Sequence, residues 1–466
     1  MKSRIVFIIL FILLSACKSQ NKQFQDGSDM FTGKRNEIKL ITLDPGHFHA
    51  ALVQKIMYET VDSVVHVFAP EGQDVLDHLA RIEGFNSRIE NPTSWVEKVY
   101  TGPDFLDRML RIKSGNVIIL SGNNARKTEY IDKAVKAGLN VLADKPMVIT
   151  HEDFTLLEEA FRTAAEKGVL LYDIMTERYE ITNILQRELS MITEVFGELI
   201  KGTPEDPAIT KESVHHFFKY VSGSPLIRPA WFFDVRQQGE GIVDVSTHLV
   251  DLIQWEAFPD RIMDKSDIEV LSARRWSTDL TIEQFSKVTG IETFPEYLSD
   301  NVEDGVLKVF SNGEILYTLR GINAKVSVAW NYQAPEGTGD THYSIMKGTR
   351  CNLVIRQGES ENFQPTLYVE LNENVPPALF ENDLIAGLED IAVKYPGVGS
   401  RKKNDRTWII DIPDKYKVDH EAHFGQVMEK FLQYLQDGKL PDWEVPNMIT
   451  KYYTTTRALE MAGKRN

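Results

Sequence analysis

The sequence predicts an α/β protein, with a doubly wound parallel sheet in its N-terminal part and a second, α+β domain built around an open sheet. Between residues 37 and 175, short apolar runs alternate with patterns of helical period, which is typical of a parallel sheet covered by helices on both faces. After residue 300, strand-like runs alternate in polarity, which indicates an open sheet with one covered face. The 466 residues are enough for two or three domains with a sizeable core.

The N-terminal segment predicts export from the cytoplasm. Lys2 and Arg4 precede an apolar run at 5–14. This run is too short to span a bilayer and is typical of the hydrophobic part of a signal peptide. We therefore expect residues 1–16 to be a signal peptide that is removed from the mature protein.

The end of that run predicts a lipid anchor. Residues 14–17 spell Leu-Ser-Ala-Cys, which resembles the lipobox of bacterial lipoproteins. The resemblance implies cleavage before Cys17 and a diacylglycerol on its thiol. Residues 17–36 are polar and predict a flexible tether. We expect an exported, periplasmic lipoprotein held to the membrane only through its lipid anchor. An ordinary secretory signal with a chance cysteine is the alternative.

Charge and cysteine content limit the possible partners. The net charge of −16 argues against a nucleic-acid partner, which would need a basic surface. The chain contains two cysteines, Cys17 and Cys351. If Cys17 carries lipid, no disulfide can form within the mature chain. Cys351 lies in a strand-like run and is expected to be a buried, unreactive thiol.

The first strand, turn and helix form the opening unit of a dinucleotide-binding fold. Residues 37–43 predict the strand, 44–49 the turn and 50–58 the helix. Such folds usually carry three glycines in this turn, whereas this chain has only one. Histidines near a helix start can face a phosphate, although a plain βα turn is the alternative. The candidate cofactor residues of the turn are Gly46, His47 and Phe48.

The next strand, at 64–68, bears on the choice of cofactor. Dinucleotide folds carry an acidic residue after this strand, where it binds the ribose hydroxyls. Glu71 is the nearest acid, but Ala69 and Pro70 occupy the usual position, so the choice between NAD and NADP stays open. A later turn of small polar residues supplies two more candidate cofactor residues, Ser121 and Asn123. The other elements predicted in this domain are helices at 73–82, 103–112, 128–137 and up to 167, and strands at 117–120 and 169–174.

The stretch 140–146 places a lysine at the carboxyl end of a predicted parallel strand. The preceding helix ends before Gly138, because glycine enters the left-handed region at little cost. The apolar run that follows stops at Asp144 and Lys145, because Pro146 ends the strand. Open α/β sheets bind ligands at this edge, so Asp144 and Lys145 are candidate cofactor residues. A solvated lysine at a strand end is the alternative.

These residues resemble the Gfo/Idh/MocA oxidoreductases, which include glucose–fructose oxidoreductase and inositol dehydrogenase. In that family the stretch equivalent to 116–150 contains a strand, a Pro-Asn turn, a helix ending in Ala-Gly and a Glu-Lys-Pro motif. Here Asn123 matches the turn asparagine, and the motif is Asp-Lys-Pro at 144–146. Gly122 and Arg126 replace the family's proline and its frequent histidine. The resemblance implies a Rossmann-type domain followed by a domain with a large open, mostly antiparallel sheet. We expect these two domains at 37–175 and 176–466.

Residues 239–251 are similar to the family's glycine-rich turn and its Asp-x-x-x-His helix. Asp244 and His248 are four residues apart, so we expect them on one helix face. Oxidation of a secondary alcohol removes a proton from oxygen, which a histidine can accept while an ammonium stabilises the negative charge. The resemblance implies that His248 is the catalytic acid/base, that Lys145 lies beside nicotinamide and substrate, and that Asp244 orients the substrate or relays the proton. A purely structural Asp–His pair is the alternative.

The second sheet is predicted from two stretches of strand alternation. Residues 306–330 contain Ser-Asn-Gly at 311–313, which predicts a hairpin turn. Residues 341–355 repeat the pattern around a Lys-Gly turn at 347–348. Further helices are expected at 178–194, 420–437 and 448–461, and residues 381–403 resemble an elaboration that many members of the family lack.

Candidate substrate residues lie outside the family motifs. Aromatic residues near 231 and 332 could stack on a sugar ring at the mouth of the open sheet, although an aromatic core is an equal alternative. The candidate substrate residues are Arg178, Trp231 and Tyr332. His215 and His216 have no acidic or cysteine partner at ligand spacing, so no metal site is expected.

The sequence thus predicts an NAD(P)-dependent oxidoreductase that transfers hydride between a nicotinamide cofactor and a secondary alcohol of a sugar or polyol. Because free cofactor is scarce outside the cytoplasm, we expect NAD or NADP to be tightly bound. The alternatives are an NAD-dependent, redox-neutral glycoside hydrolase or lyase and a non-catalytic sugar-binding protein. The family resemblance also implies a homo-oligomer formed through the C-terminal sheet.

Overall fold

The computed structural model describes residues 31–221 and 224–464. The predicted signal peptide and Cys17 lie outside the described residues. Within the described ranges, none of the helices combines the length and apolar character that crossing a bilayer requires.

The first sheet confirms the predicted doubly wound architecture. Its six strands are all parallel and lie in the order β3-β2-β1-β4-β5-β6, the arrangement of dinucleotide-binding folds. The central strands are buried along their whole length, which explains their continuous apolar runs. The strands are β1 Leu40–Leu43, β2 Val64–Ala69, β3 Val96–Thr101, β4 Val117–Leu120, β5 Asn140–Asp144 and β6 Leu171–Ile174. The helices are α1 His49–Leu52, α2 Gln73–Ser87, α3 Phe105–Ile112, α4 Lys127–Lys136 and α5 Phe154–Lys167.

Two local predictions in this domain were wrong. The helix predicted at 50–58 is reduced to the four residues of α1, because the carbonyl of Gln54 accepts a hydrogen bond from Nε1 of Trp95 at 2.6 Å and the chain turns away. Strand β3 was not predicted at all. It lies at the edge of the sheet and is half exposed, so it has no apolar run that would mark it as a strand.

The carboxyl group of Glu97 on β3 gives a pH-dependent prediction. Gln54 Nε2 donates to Oε1 at 2.7 Å, and Oε2 is buried without a partner among the described residues. Burial raises the pKa of Glu97 to about 7 from its ordinary value of 4.5. Between these two values only the folded state holds the proton, so the free energy of unfolding falls as pH rises.

Glu97→Gln is therefore expected to remove this pH dependence. The unfolding free energy of the variant minus that of the wild type should rise by about 1–3 kcal/mol between about pH 5 and about pH 8, because a shift of one pKa unit corresponds to about 1.4 kcal/mol. Urea denaturation at the two pH values measures the gain. The same stability difference at both values would contradict it.

The second sheet contains ten strands and is antiparallel except between β7 and β13. The strand order is β10-β12-β13-β7-β14-β15-β16-β18-β17, with β11 paired to β12. The longer strands are β7 Ile209–Phe218, β10 Ile268–Leu280, β12 Val306–Leu319, β13 Ile322–Gln333, β14 Thr341–Lys347, β15 Cys351–Arg356, β16 Thr366–Leu371, β17 Gly399–Asn404 and β18 Thr407–Asp411; the two-residue strands are β8 Tyr220–Val221, β9 Ser224–Pro225 and β11 Val302–Glu303. The helices are α6 Ile181–Ser190, α7 Thr193–Phe196, α8 Val235–Gln238, α9 Ser246–Ala257, α10 Ile282–Thr289, α11 Pro377–Lys394, α12 His420–Asp437 and α13 Glu444–Gly463.

The hairpin predicted at 311–313 was wrong. The contact that replaces it positions the functional site. Strand β12 continues through Gly313, and the turn to β13 comes at 320–321. A Cβ on Gly313 would lie 2.6 Å from Cβ of Ile242, and a Cβ on Gly241 would overlap the carbonyl of Ser311. The two glycines therefore let the segment before α9 lie directly on the sheet.

The last two helices join the domains. Buried side chains of α12, such as Phe424 and Phe431, belong to the core of the first sheet. Helix α13 contributes Met448 and Tyr452 to that core and Ala458 to the core of the second sheet. The C-terminal helices therefore fix the position of the two sheets relative to each other.

Candidate active site

A cavity of about 1080 Å³ lies between the two domains. Its first-domain lining follows the carboxyl ends of β1, β4 and β5, where parallel α/β sheets bind ligands. These residues include His47, Phe48, His49, Gly122, Asp144 and Lys145. The second-domain lining includes Glu177, Asp244, His248, Trp330 and Asp340.

Lys145 connects the two domains inside this cavity. It directly follows β5, and its Nζ donates a hydrogen bond to Oδ1 of Asp244 at 2.5 Å. Gln238 Nε2 donates to the other carboxylate oxygen at 3.1 Å. The side chains of Lys145 and Asp244 are only 11% and 6% exposed, so the ion pair is shielded from bulk solvent. An ammonium from the first domain and a carboxylate from the second thus share one site.

His248 lies in the first turn of α9, whereas Asp244 precedes the helix. The prediction that both lie on one helix face was therefore wrong: α9 begins at Ser246, and the N–H of Asp244 donates to Glu240 in the preceding turn. Nδ1 of His248 is buried and has no hydrogen-bond partner within the described ranges. Burial and the nearby Lys145 charge hold the pKa of His248 well below its usual range. The imidazole is therefore neutral at neutral pH and can accept a proton.

Asp144 is the buried centre of a second group of polar side chains. Its Oδ2 accepts hydrogen bonds from Nδ1 of His49 and Oγ of Ser121, each at 2.9 Å. Lys127 Nζ donates to its backbone carbonyl at 2.9 Å. Burial by itself would raise the pKa of Asp144, but His49, Lys127 and His47 together hold it well below the usual range. Asp144 is therefore an anion buried at the edge of the sheet.

The turn after β1 is closed by protein groups. The N–H groups of Gly46 and His47 both donate to the carbonyl of Ser121, at 3.2 and 3.3 Å. A Cβ on Gly122 would overlap the carbonyl of Asp44, so this close contact between the two turns requires glycine there. These backbone N–H groups are the ones that bind pyrophosphate in dinucleotide folds.

Trp231 covers the same turn. Its ring lies 3.2 Å from the position of a Cβ on Gly46, and its Nε1 donates to Oδ2 of Asp74 at 2.8 Å. Asn123 Nδ2 donates to Oε1 of Gln237 at 2.6 Å, which ties the next turn to α8. In this arrangement the residues around Gly46 do not fit the pyrophosphate of a dinucleotide.

Several predicted site residues lie away from the cavity. Arg178 is buried and donates to Asp251 at 2.6 and 2.7 Å and to Glu444 at 2.8 Å, so its guanidinium is used within the protein. Tyr332 is partly buried and stacks beside Phe218 with ring centroids 6.5 Å apart. Seven of the predicted site residues do not line the cavity: Gly46, Glu71, which is exposed beyond β2, Ser121, Asn123, Arg178, Trp231 and Tyr332.

Other cavity residues were missed by the sequence analysis. His215 Nδ1 lies 3.0 Å from Oδ2 of Asp340, and the His215 ring stacks on Trp330. Burial and the neighbouring Glu180 raise the pKa of Glu177 to about 7. These residues are spread over more than 160 positions and belong to no local motif. Two local signals had pointed to members of the group around Asp144: the Asp-Lys-Pro motif at 144–146 and the histidines near a helix start at 47–49.

Comparison with known proteins identifies the family. Residues 185–463 match the family model described as "Putative oxidoreductase C terminal domain". A crystal structure of a "putative oxidoreductase" from Parabacteroides merdae ATCC 43184 is 59% identical, with a TM-score of 0.92, and the match covers 94% of this chain and 100% of that chain. No curated protein matches the chain.

More distant solved structures share the fold. Levoglucosan dehydrogenase in complex with NADH and levoglucosan is 12% identical, with a TM-score of 0.58 over 92% of this chain and 98% of that chain. GenD2 from gentamicin A biosynthesis, in complex with NAD, is 14% identical, with a TM-score of 0.56 over 95% and 97%. Together with the family model, these findings show that the chain belongs to the oxidoreductase family defined by this C-terminal domain and is an enzyme of the Gfo/Idh/MocA type.

Proposed function

We propose that this oxidoreductase acts on a secondary alcohol of a sugar or polyol, with Lys145, Asp244 and His248 as its catalytic residues. The observation that carries the proposal is the contact across the domains, in which Lys145 Nζ lies 2.5 Å from Asp244 Oδ1 in the cavity that His248 also lines. Levoglucosan dehydrogenase, which shares the fold, is described in complexes with levoglucosan and with L-sorbose. Its substrates support a carbohydrate as the ligand of this cavity.

The three residues supply the proton chemistry of an alcohol oxidation. A substrate hydroxyl between Lys145 and His248 would give its proton to the neutral imidazole. The ammonium of Lys145 would stabilise the negative charge that develops on the oxygen. Asp244 holds that ammonium in place, because it accepts its hydrogen bond in a shielded environment.

The lining of the cavity has the mixed character that sugar binding requires. The stacked rings of His215 and Trp330 line the cavity, which also exposes the carboxyl groups of Glu177 and Asp340. Sugar rings present apolar faces together with hydroxyl groups, so aromatic and carboxylate side chains in one cavity are complementary to them. The volume of about 1080 Å³ exceeds that of a typical small-ligand pocket, so more than one sugar ring can fit.

A nicotinamide cofactor, NAD or NADP, is proposed on the strength of relatives that are described with NAD or NADH. In the described structure, the N–H groups of Gly46 and His47 in the closed turn already donate to a protein carbonyl, so they are not free to bind the pyrophosphate of this cofactor. Binding of a dinucleotide along this sheet edge would require Trp231 and α8 to leave their contacts with Asp74 and Asn123.

The same closed turn favours a second candidate function. If no dinucleotide enters, the cavity can still bind a carbohydrate, and the protein would be a non-catalytic sugar-binding protein. The other alternative, an NAD-dependent, redox-neutral glycoside hydrolase or lyase, needs the dinucleotide and regenerates it within each cycle.

Mass spectrometry of the small molecules released from denatured protein tests the cofactor. Native protein is then incubated with sugars, polyols and glycosides, with and without added NAD⁺ or NADP⁺, while reduced cofactor and sugar products are measured. We expect NAD or NADP in the released fraction and an oxidised sugar as product. Release of reducing sugar without reduced cofactor would select the redox-neutral candidate, and sugar binding without turnover would select the binding protein.

Two proposals concern the cellular setting. The Leu-Ser-Ala-Cys sequence at 14–17 supports an exported, periplasmic lipoprotein anchored through Cys17; Cys17→Ser should release the protein from the membrane fraction. The family resemblance supports a homo-oligomer formed through the second sheet. Light scattering on the mature, soluble chain that gives the mass of a monomer would contradict the oligomer.

A further inference from the structure

The group around Asp144 contains three side chains that can ligate a metal. One nitrogen each from His47 and His49 and one carboxylate oxygen of Asp144 all lie within 4.8 Å of one another. His47 lies in the turn after β1, His49 is the first residue of α1, and Asp144 is the last residue of β5. The proton chemistry proposed for Lys145, Asp244 and His248 does not use them.

The distances within the group agree with a shared metal ion. Nδ1 of His49 lies 2.9 Å and Nδ1 of His47 lies 3.9 Å from Oδ2 of Asp144. Two ligands that are each about 2.0–2.2 Å from one metal ion lie at most about 4.4 Å apart. Small adjustments of the three side chains would therefore place one ion between them.

The surroundings of the group hold its side chains in position. Ser121 Oγ donates to Asp144 at 2.9 Å, as the supporting residues of metal ligands often do. The His49 ring packs against Phe424 of α12 with ring centroids 4.4 Å apart. Each of these contacts limits the orientation of a ligand before any metal binds.

The charges of the group are also compatible with a cation. Metal ions bind the neutral form of histidine and the ionised form of a carboxylate. Asp144 supplies a negative charge. Two ammonium groups lie nearby: that of Lys145 is paired with Asp244 at 2.5 Å, and that of Lys127 donates to the backbone carbonyl of Asp144 at 2.9 Å.

We propose that His47, His49 and Asp144 bind one divalent transition-metal ion of the Zn²⁺, Mn²⁺ or Fe²⁺ class, with its open coordination positions facing the cavity. Two histidines and one carboxylate are a ligand set typical of catalytic metal sites, which keep a position for water or substrate. All three residues line the cavity that Lys145 and His248 also line. The ion would therefore face the same bound sugar and could take one of its oxygens as a ligand.

Metal binding is tested with the metal alone, without substrate or nucleotide. The mature protein is stripped with a chelator, and Zn²⁺ is titrated by calorimetry while Co²⁺ is titrated by visible absorption. We expect one ion per chain and binding at least tenfold weaker in His49→Ala and in Asp144→Asn. His215→Ala is the matched control, because His215 forms a similar contact with Asp340 at 3.0 Å in the same cavity, and its metal binding should equal that of the wild type.

Three results would overturn the proposal. They are the absence of metal binding to the wild type, unchanged binding in His49→Ala, and loss of binding in His215→Ala alone. If the variants of the buried residues fail to fold, X-ray absorption of the wild type with Zn²⁺ decides, because two imidazole ligands without sulfur are expected. These measurements do not depend on turnover, so they stand or fall separately from the proposed oxidoreductase activity.

Discussion

Replacing His248 with alanine is expected to lower kcat on the sugar or polyol substrate by about 10²- to 10⁴-fold, the usual contribution of a positioned general base. The neutral imidazole would no longer accept the hydroxyl proton, while Lys145 and Asp244 would keep their ion pair. Burial and Lys145 hold the pKa of His248 well below its usual 6.5, so the acidic limb of the wild-type rate profile should lie below that pH. Steady-state kinetics across pH, with the substrate found by product analysis, measures both effects.

A matched control separates catalysis from stability. His151 is partly exposed and does not line the cavity, so His151→Ala should leave kcat unchanged. Thermal unfolding of both variants checks that His248→Ala is folded at the assay temperature. A rate within a factor of about two of the wild type in folded His248→Ala would remove this residue from the mechanism.

The first sheet was predictable because its buried strands carry continuous apolar runs, as in β4 and β5. Strand β3 was not, because an edge strand with exposed side chains carries no such pattern. Gly313 was misinterpreted for a different reason. A glycine is required at this position because Ile242, 71 positions earlier, approaches it closely, and not because the chain turns there. A local sequence pattern therefore predicts secondary structure well, but it does not predict contacts between segments that are distant in the chain.

The same distinction applies to the site. Lys145 and His248 were found because each belongs to a local motif, and the structure places both on one cavity. Trp231 and Arg178 were assigned to substrate because polar and aromatic side chains often bind sugars. Their partners, Asp74 for Trp231 and Asp251 for Arg178, lie 157 and 73 positions away in the chain. No local pattern in the sequence indicates these pairings.

Asp251 lies at the centre of a buried ionic network that holds helix α9, which carries His248. It accepts hydrogen bonds from Arg178 and from Lys451 Nζ, the latter at 2.8 Å. Lys451 also lies 2.7 Å from Asp173 at the end of the first sheet, and all these side chains are nearly inaccessible to solvent. Because Asp251 is on α9 one turn after His248, the network fixes that helix to α13 and to β6.

Asp251→Ala is expected to reduce the free energy of unfolding by about 3–5 kcal/mol, because two buried cations, Arg178 and Lys451, each lose one of their two carboxylate partners. Burial alone would raise the pKa of Asp251, but Arg178 and Lys451 lower it, so the contribution of Asp251 is complete above the ordinary value of 3.8 and is lost as pH falls. Urea denaturation at neutral pH measures the loss. Arg401→Ala is the control, because its ion pair with Asp411 is exposed and should contribute less than about 1 kcal/mol.

A double variant then shows whether Asp251 stabilises the fold through its charge or only through packing. If Asp251 and Lys451 stabilise the fold through their charges, the double variant Asp251→Ala/Lys451→Met should lose less stability than the sum of the two single changes, because the second change removes a buried cation that has already lost one of its two carboxylate partners. Strict additivity, or a loss below about 1 kcal/mol in Asp251→Ala, would mean that the network does not hold α9. In that case the position of His248 would depend on the apolar contacts of α9 and on the segment that Gly241 and Gly313 seat on the sheet.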